Sequence, residues 1–268
     1  MSDKKTPSEP VPAATVLLLR GGEKKLEVFM VVRHQQIDFA SGALVFPGGK
    51  VDKADNDPRL KARVEGCDGM DDAARAFRVG AIRESFEECG VLLARPKGSR
   101  ALVSAEQLGP LQARWQKALV EGKATMADMA EAEDLVLACD LMVPYSHWVT
   151  PTFMPKRFDT WFFIAEAPAD HLAVHDGSES VDSTWISPKQ ALADLEAGKR
   201  TIIFPTRLNL MALAESPDVP SALLRARDSK IKTVLPWSEE KDGDKWLTIP
   251  EDVGYTMTRA KIDAVMRG

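Results

Sequence analysis

Three glutamates, Glu84, Glu87 and Glu88, follow an arginine in the run Arg83-Glu84-Ser85-Phe86-Glu87-Glu88-Cys89-Gly90-Val91. Positions i, i+3 and i+4 share one face of an α-helix, and like charges at that spacing weaken it. The pattern therefore calls for a cation. Oxygen donors at this density suit Mg2+ or Mn2+. Arg83 stands i,i+4 from Glu87 and can hold that carboxylate in orientation from behind the metal's own ligands. A solvated acidic helix face would carry the same string, and the neighbourhood separates the two readings. Upstream, Phe46-Pro47-Gly48-Gly49 offers backbone amides unshielded by side chains, which suits phosphate oxygens.

To bring these groups together the chain must set a strand end beside that helix. Residues 13–20 and 26–33 read as strands of a hairpin around Gly21-Gly22-Glu23-Lys24-Lys25, and 43–46 as a third strand stopped by Pro47-Gly48-Gly49. Residues 53–71, charged and punctuated by Pro58, Gly66 and Gly69, read as a surface loop. Residues 72–89 form the glutamate helix, with Asp71 or Asp72 as N-cap and Gly90 as the stop. Residues 104–121 and 125–138 read as helices, with Trp115, Met126 and Met129 taken as core. Strands are expected at 141–149, 160–165 and 183–186, and helices from Pro188 to about 198 and from Pro205 to about 215. Beyond Pro217 only turns are legible, at Pro236-Trp237 and Asp242–Trp246. Strands before and after helices imply a mixed sheet covered on both faces. The expected layout is a disordered tail over 1–12 and one α/β domain over 13–215. That domain carries a loop insertion at 53–71 and a helical insertion at 104–138, and 216–268 pack on it as an extension.

A net charge of −5 argues against a nucleic-acid partner. A small anionic ligand remains open, because a metal supplies positive charge locally. Three scattered cysteines, with no CxxC pair, fit a reducing compartment. No apolar run approaches the ~18 residues of a membrane span, so a cytoplasmic location is expected. His171 and His175, four apart, lack a third ligand nearby and read as ordinary histidines. Asp242-Gly243-Asp244 lacks the glutamate that would complete a calcium loop.

With these residues in view, the chain resembles the Nudix hydrolase family. That family's box is a glycine, five residues, a glutamate, seven residues, then Arg-Glu-aliphatic-x-Glu-Glu-x-Gly-aliphatic. Arg83, Glu84, Glu87, Glu88, Gly90 and Val91 match its second half, and Gly49, after Pro47-Gly48, matches its start. Ser85 stands where an aliphatic residue is usual. Gly49 and Arg83 are 34 positions apart where the pattern has 14, which leaves Asp52 and Asp55 near the usual mid-box glutamate. The resemblance implies a Nudix-type α/β/α sandwich that cleaves a pyrophosphate with Mg2+ or Mn2+ on Glu84, Glu87 and Glu88. Glu84 is the candidate base, and Arg83, Glu84 and Glu87 form the catalytic set. A further acid is expected from a later loop, with Glu179 the candidate.

Arg33, Gly42 and Phe46-Pro47-Gly48-Gly49 also keep the spacing of coenzyme A diphosphatases within this family, although His34 and Asp38 replace a serine and an arginine. The stretched box and the segments Trp148–Pro151 and Lys156–Thr160 resemble the peroxisomal acyl-CoA diphosphatase branch and its bacterial relatives. The implied substrate is CoA or acyl-CoA, bound through Arg33, Gly48, Gly49, Lys156 and Arg157. Another nucleoside diphosphate linked to a group X (a nucleotide sugar or dinucleoside polyphosphate) is the alternative, and a non-catalytic sensor on the same fold a third reading. A homodimer is compatible with all three.

Overall fold

The computed structural model describes residues 7–22, 25–33, 42–171, 173 and 180–263. Strands β1 (Val11–Gly22) and β2 (Lys25–Arg33) pair antiparallel at the turn between them. β3 (Leu44–Val45) adds to β2. The Phe46-Pro47 break then does not end the strand region, as expected from sequence. It switches partners, because Gly48–Lys50 forms β4 against β1. Helix α1 (Asp72–Cys89) and strand β5 (Ala94–Pro96) follow. The helical insertion comprises α2 (Ala105–Leu111), a π-helical turn (Gln112–Gln116), α3 (Lys117–Val120) and α4 (Met126–Ala132). β6 (Leu135–Leu137) closes it against β5. The expected helix to 138 thus stops early, where Asp134 takes φ 49 and Leu135-Val136-Leu137 enters a strand.

β7 (Val143–Val149), β8 (Phe158–Glu166) and β9 (Ser180–Ile186) complete most of the sheet. Helices α5 (Pro188–Glu196), α6 (Phe204–Leu213) and α7 (Val219–Asp228) cover one face. β10 (Thr233–Val234) extends the sheet by pairing parallel with β7. β11 (Trp237–Lys241), β12 (Asp244–Thr248) and β13 (Arg259–Lys261) form a small separate sheet. Its hairpin turns through Asp242 (φ 54) and Gly243 (φ 80), the positive-φ pair that a two-residue hairpin favours. Trp237, expected in a turn, instead opens β11 and is exposed.

The mixed sheet has eight strands among the described residues, in the order β10-β7-β8-β1-β2-β3, with β4 on β1 and β9 on β2. Its central strand is apolar on both sides. Val16 and Leu18 pack with α1 and the helical insertion, and Leu17 and Leu19 pack with α6 and α7. Alternate side chains of a strand point to opposite faces, so an unbroken Val-Leu-Leu-Leu run requires two helical layers. The α/β/α sandwich follows. No described helix is long and apolar enough to cross a membrane.

Three boundaries differ from the sequence reading. The chain is ordered from before Val11, with Ser8 Oγ donating to Pro155 O at 3.2 Å. The extension after 215 supplies α7, β10 and buried Val219, Ala222, Val234 and Ile249 to the second core layer. Residues 53–71 are not a surface loop. They form two 3-10 turns (Lys53–Asn56 and Pro58–Ala62), bury Leu60 completely and bridge Val64 to Leu137 in β6. Polar composition concealed a segment pinned at Asp55 and Leu60. Leu60→Ala is therefore expected to lower unfolding free energy by about 2–4 kcal/mol, as for other buried leucines. Replacing 53–70 by a Gly-Ser link is expected to collapse the fold. Chemical denaturation followed by circular dichroism checks both, and a loss under about 0.5 kcal/mol for Leu60→Ala would return the segment to the surface.

Candidate active site

The glutamate helix is fixed at both ends. Asp71 caps the start by accepting from Ala74 N at 2.7 Å. Gly90 ends it in a left-handed turn at φ 67. Ser85, where an aliphatic residue is usual, is fully buried and donates its hydroxyl to Val91 O at 3.0 Å, so the departure serves the helix end. Two glutamines of the π-helical turn reach the same end. Gln112 Nε2 donates to Gly90 O at 2.9 Å, and Gln116 Nε2 to Phe86 O at 3.0 Å and Glu87 O at 2.9 Å. A Cβ on Gly90 would lie 2.3 Å from Gln112 Nε2, so the approach itself requires glycine. The helical insertion thus caps the last-turn carbonyls of the helix that carries the glutamates.

Arg83 is the hub. Its Nε and Nη2 bind Asp55 Oδ1 and Oδ2 at 2.9 and 3.0 Å, and Nη2 also donates to Lys50 O at 2.8 Å. Nη1 turns to Glu84 Oε1 at 2.9 Å and Glu87 Oε2 at 3.1 Å. Asp55 is 1% exposed and also accepts from Asp52 N at 2.8 Å. Gly49 lies against Glu84, where a Cβ would stand 2.6 Å from its Oε1. Glu88 Oε2 accepts from Gly48 N at 2.9 Å, and a Cβ on Gly48 would collide with Ala14 O at 2.5 Å. The two glycines therefore let the strand end touch the carboxylates. Burial pushes the Glu84 carboxyl up to about 7; Arg83 pulls it back and Glu87 adds to the rise. Burial likewise raises Asp55 against the pull of Arg83.

One guanidinium thus faces Asp55, Glu84 and Glu87. The donor chemistry of Glu84, Glu87 and Glu88 fits a hard divalent cation. Among the described residues no three such groups converge into a ready-made metal cage. Arg83 Nη1 stands between Glu84 and Glu87, so a cation would have to draw the carboxylates together.

Asp55 is the residue that sequence reading left unplaced. The box pattern counted from Gly49 lands on it, five residues intervening, so the excess length falls between Asp55 and Arg83. Gln112 and Gln116 carried no signal, because their role depends on where the insertion lands. The expected substrate residues do not all gather here. Arg157 is buried, with Nε donating to Thr150 O at 3.0 Å and Nη1 to Ser8 O at 2.7 Å. That guanidinium fastens two chain segments and is not offered to a ligand. Lys156 is exposed, its ammonium 5.7 Å from the Phe158 ring. Arg33 ends β2 opposite Ser180. Glu179, His34, Asp38 and His175 lie outside the described residues. His171 is buried, with Nε2 2.8 Å from Val103 O, in a structural contact.

Fold and site together define a Nudix domain, a mixed sheet presenting a glutamate helix to a glycine-bearing strand end. The chain belongs to the NUDT19 Nudix domain family, whose match covers residues 62–213. It is 29% identical over 196 residues to the putative nudix hydrolase 7 of Caenorhabditis elegans (71% of this chain, 57% of that protein). It is 26% identical over 223 residues to the human acyl-coenzyme A diphosphatase NUDT19 (69% and 57%). The chain spans little more than half the length of these curated relatives. A crystal structure of a NUDIX hydrolase from Alicyclobacillus acidocaldarius matches at 28% identity and TM-score 0.70, over 81% of this chain and 96% of that one.

The Glu84 carboxyl yields a pH signature. Its folded value lies above the ordinary 4.5, so the neutral form stabilises the fold below about 4.5 and that contribution is lost as pH rises through about 7. In metal-free protein, Glu84→Gln is expected to be more stable than the wild type at pH 8 by about 1–3 kcal/mol. The difference should shrink towards pH 5. Melting curves across that range test it, and parallel curves for the two proteins would refute the buried charge.

Proposed function

We propose that this domain hydrolyses the diphosphate of CoA or acyl-CoA, releasing adenosine 3′,5′-bisphosphate and (acyl-)phosphopantetheine. The observation that carries the reading is the cluster of carboxylates on one helix face around Arg83, set against the backbone of Gly48 and Gly49. Glu84, Glu87 and Glu88 would hold Mg2+ or Mn2+, which when bound offsets the charge of the pyrophosphate oxygens. Gly49 keeps a side chain out of the space beside Glu84, and Gly48, pressed against β1, donates its N–H to Glu88. Glu84 is the residue that would accept a proton from the attacking water as the P–O bond to the leaving phosphate breaks. Arg83 keeps Glu84 and Glu87 oriented, and Asp55 keeps Arg83 oriented. The CoA class is supported by the partial motif from Arg33 to Gly49 and by the similarity to acyl-coenzyme A diphosphatases of the NUDT19 kind. With Arg157 committed to backbone carbonyls, Lys156 and Arg33 are the cations proposed to receive the 3′-phosphate. We propose no nucleic-acid or membrane partner, and a reducing, cytoplasm-like setting.

A substrate panel tests this directly. CoA, acyl-CoA, dephospho-CoA, a nucleotide sugar and a dinucleoside polyphosphate are assayed with Mg2+, with Mn2+ and with a chelator. Activity should vanish with the chelator. Glu88→Gln should cut kcat at least ~10²-fold with an unchanged melting midpoint. CoA should exceed dephospho-CoA by roughly ten-fold or more in kcat/KM, on the order of one charged hydrogen bond. A best rate on a nucleotide sugar or dinucleoside polyphosphate would move the assignment to the other nucleoside diphosphates, and no turnover at all would favour a sensor.

A further inference from the structure

Where residues 63–67 run against the end of β6 and the turn after it, two cysteines come close together. The bridge between Val64 and Leu137 lays residues 63–65 along β6, with Leu137 N donating to Arg63 O at 2.8 Å and Glu65 N to Leu137 O at 2.9 Å. Just beyond, Cys67 and Cys139, each next to the close approach of Gly66 and Asp140, come near enough for each thiol to shift the other's ionisation. Their backbones cannot drift apart. A Cβ on Gly66 would lie 2.5 Å from Asp140 Cα, and Arg95 binds both Glu65 and Asp140 at 2.7 Å. Cys139 is 1% exposed, whereas Cys67 is half-buried. A cavity of about 310 Å3 opens on Cys139 and on Gly66, the residue before Cys67, and its lining includes Arg78 and Asp140. Arg78 donates to Ala74 O at 3.1 Å and lies over Phe163, and among the described residues no carboxylate pairs with it.

We propose that Cys67 and Cys139 form an oxidisable dithiol that reacts with anionic low-molecular-weight disulfides admitted beside Arg78. The asymmetry assigns the roles. The neighbouring Cys139 and the guanidinium groups of Arg78 and Arg75 lower the Cys67 thiol, while Cys67 and burial raise Cys139. The Cys67 thiolate attacks one sulfur of the disulfide, forming a mixed disulfide and expelling the first thiolate. Cys139 gives up its proton and attacks the Cys67 sulfur, leaving a Cys67–Cys139 bond and a second free thiol. The external disulfide is reduced to two thiols and the pair is oxidised. The bond would bind residues 53–71, which deliver Asp55 to Arg83, onto the turn after β6.

The reduced full chain is treated with glutathione disulfide, quenched with an alkylating agent and mapped by mass. Loss of two of the three alkylatable thiols, a Cys67–Cys139 peptide pair and a melting midpoint raised by about 5 °C are expected. Cys139→Ser should retain a mixed disulfide on Cys67. Arg78→Gln should slow the reaction with glutathione disulfide about five- to ten-fold and slow that with cationic cystamine distinctly less, the common part being the loss of Cys67 thiolate. A wild-type adduct that persists on Cys67 with Cys139 still alkylatable would overturn the pairing. Equal reactivity of Cys67→Ser and wild type would overturn the role of Cys67, and an undiminished rate for Arg78→Gln would overturn the anion preference.

Discussion

A single guanidinium holds the site together. Arg83 spends two of its donors on Asp55 and divides another between Glu84 and Glu87. A planar fork can do this, and a lysine ammonium, a compact point charge, cannot. Because Asp55 and Glu84 are nearly inaccessible to water, loss of Arg83 would strand buried charge rather than merely break a contact, the situation in which removal of one partner costs about 3–5 kcal/mol. The long segment between Asp55 and Arg83 must therefore return the chain to one fixed place, and its buried Leu60 and its bridge to β6 ensure that it does.

The glutamates also sit at the wrong end of their helix. Carboxylates near a C-terminus oppose the helix dipole, an effect of about 0.3–1 kcal/mol each at exposed sites. The amide groups of Gln112 and Gln116 bind the carbonyls of Phe86, Glu87 and Gly90, which places donors where the helix is most negative. A π-helical turn sets these two glutamines side by side, and such turns often mark functional places. Two insertions that look like ornaments on the domain thus support the helix from two directions, one through Asp55 and the other through the glutamines.

The glutamate helix was legible in sequence almost to the residue, because a local cap, a local stop and a helical charge pattern are short-range signals. Strand positions were legible for the same reason, the apolar run Val16–Leu19 foremost. The sequence misled where the deciding contact is distant. Residues 53–71 look like solvent-facing loop by composition, and only the partners at Arg83 and Leu137 make them part of the core. Arg157 looks like a phosphate ligand until Ser8 and Thr150 are seen to occupy it. Leu135–Leu137 continued a helical stripe by pattern, yet it belongs to the strand that closes the insertion.

The parallel pairing of β1 with β8 has a temporal side. From Val11–Phe158 to Leu19–Glu166, each partner of the central strand lies about 150 residues downstream. On a ribosome adding 5–20 residues per second, β1 waits roughly 7–30 s for that partner after it is made. During that interval an edge carrying Val16, Leu17, Leu18 and Leu19 presents unpaired amides and carbonyls, the template on which strands of other chains add. Binding of a chaperone to the nascent chain would matter most in this window, before the neighbour that shields the edge for the rest of the protein's life has been synthesised.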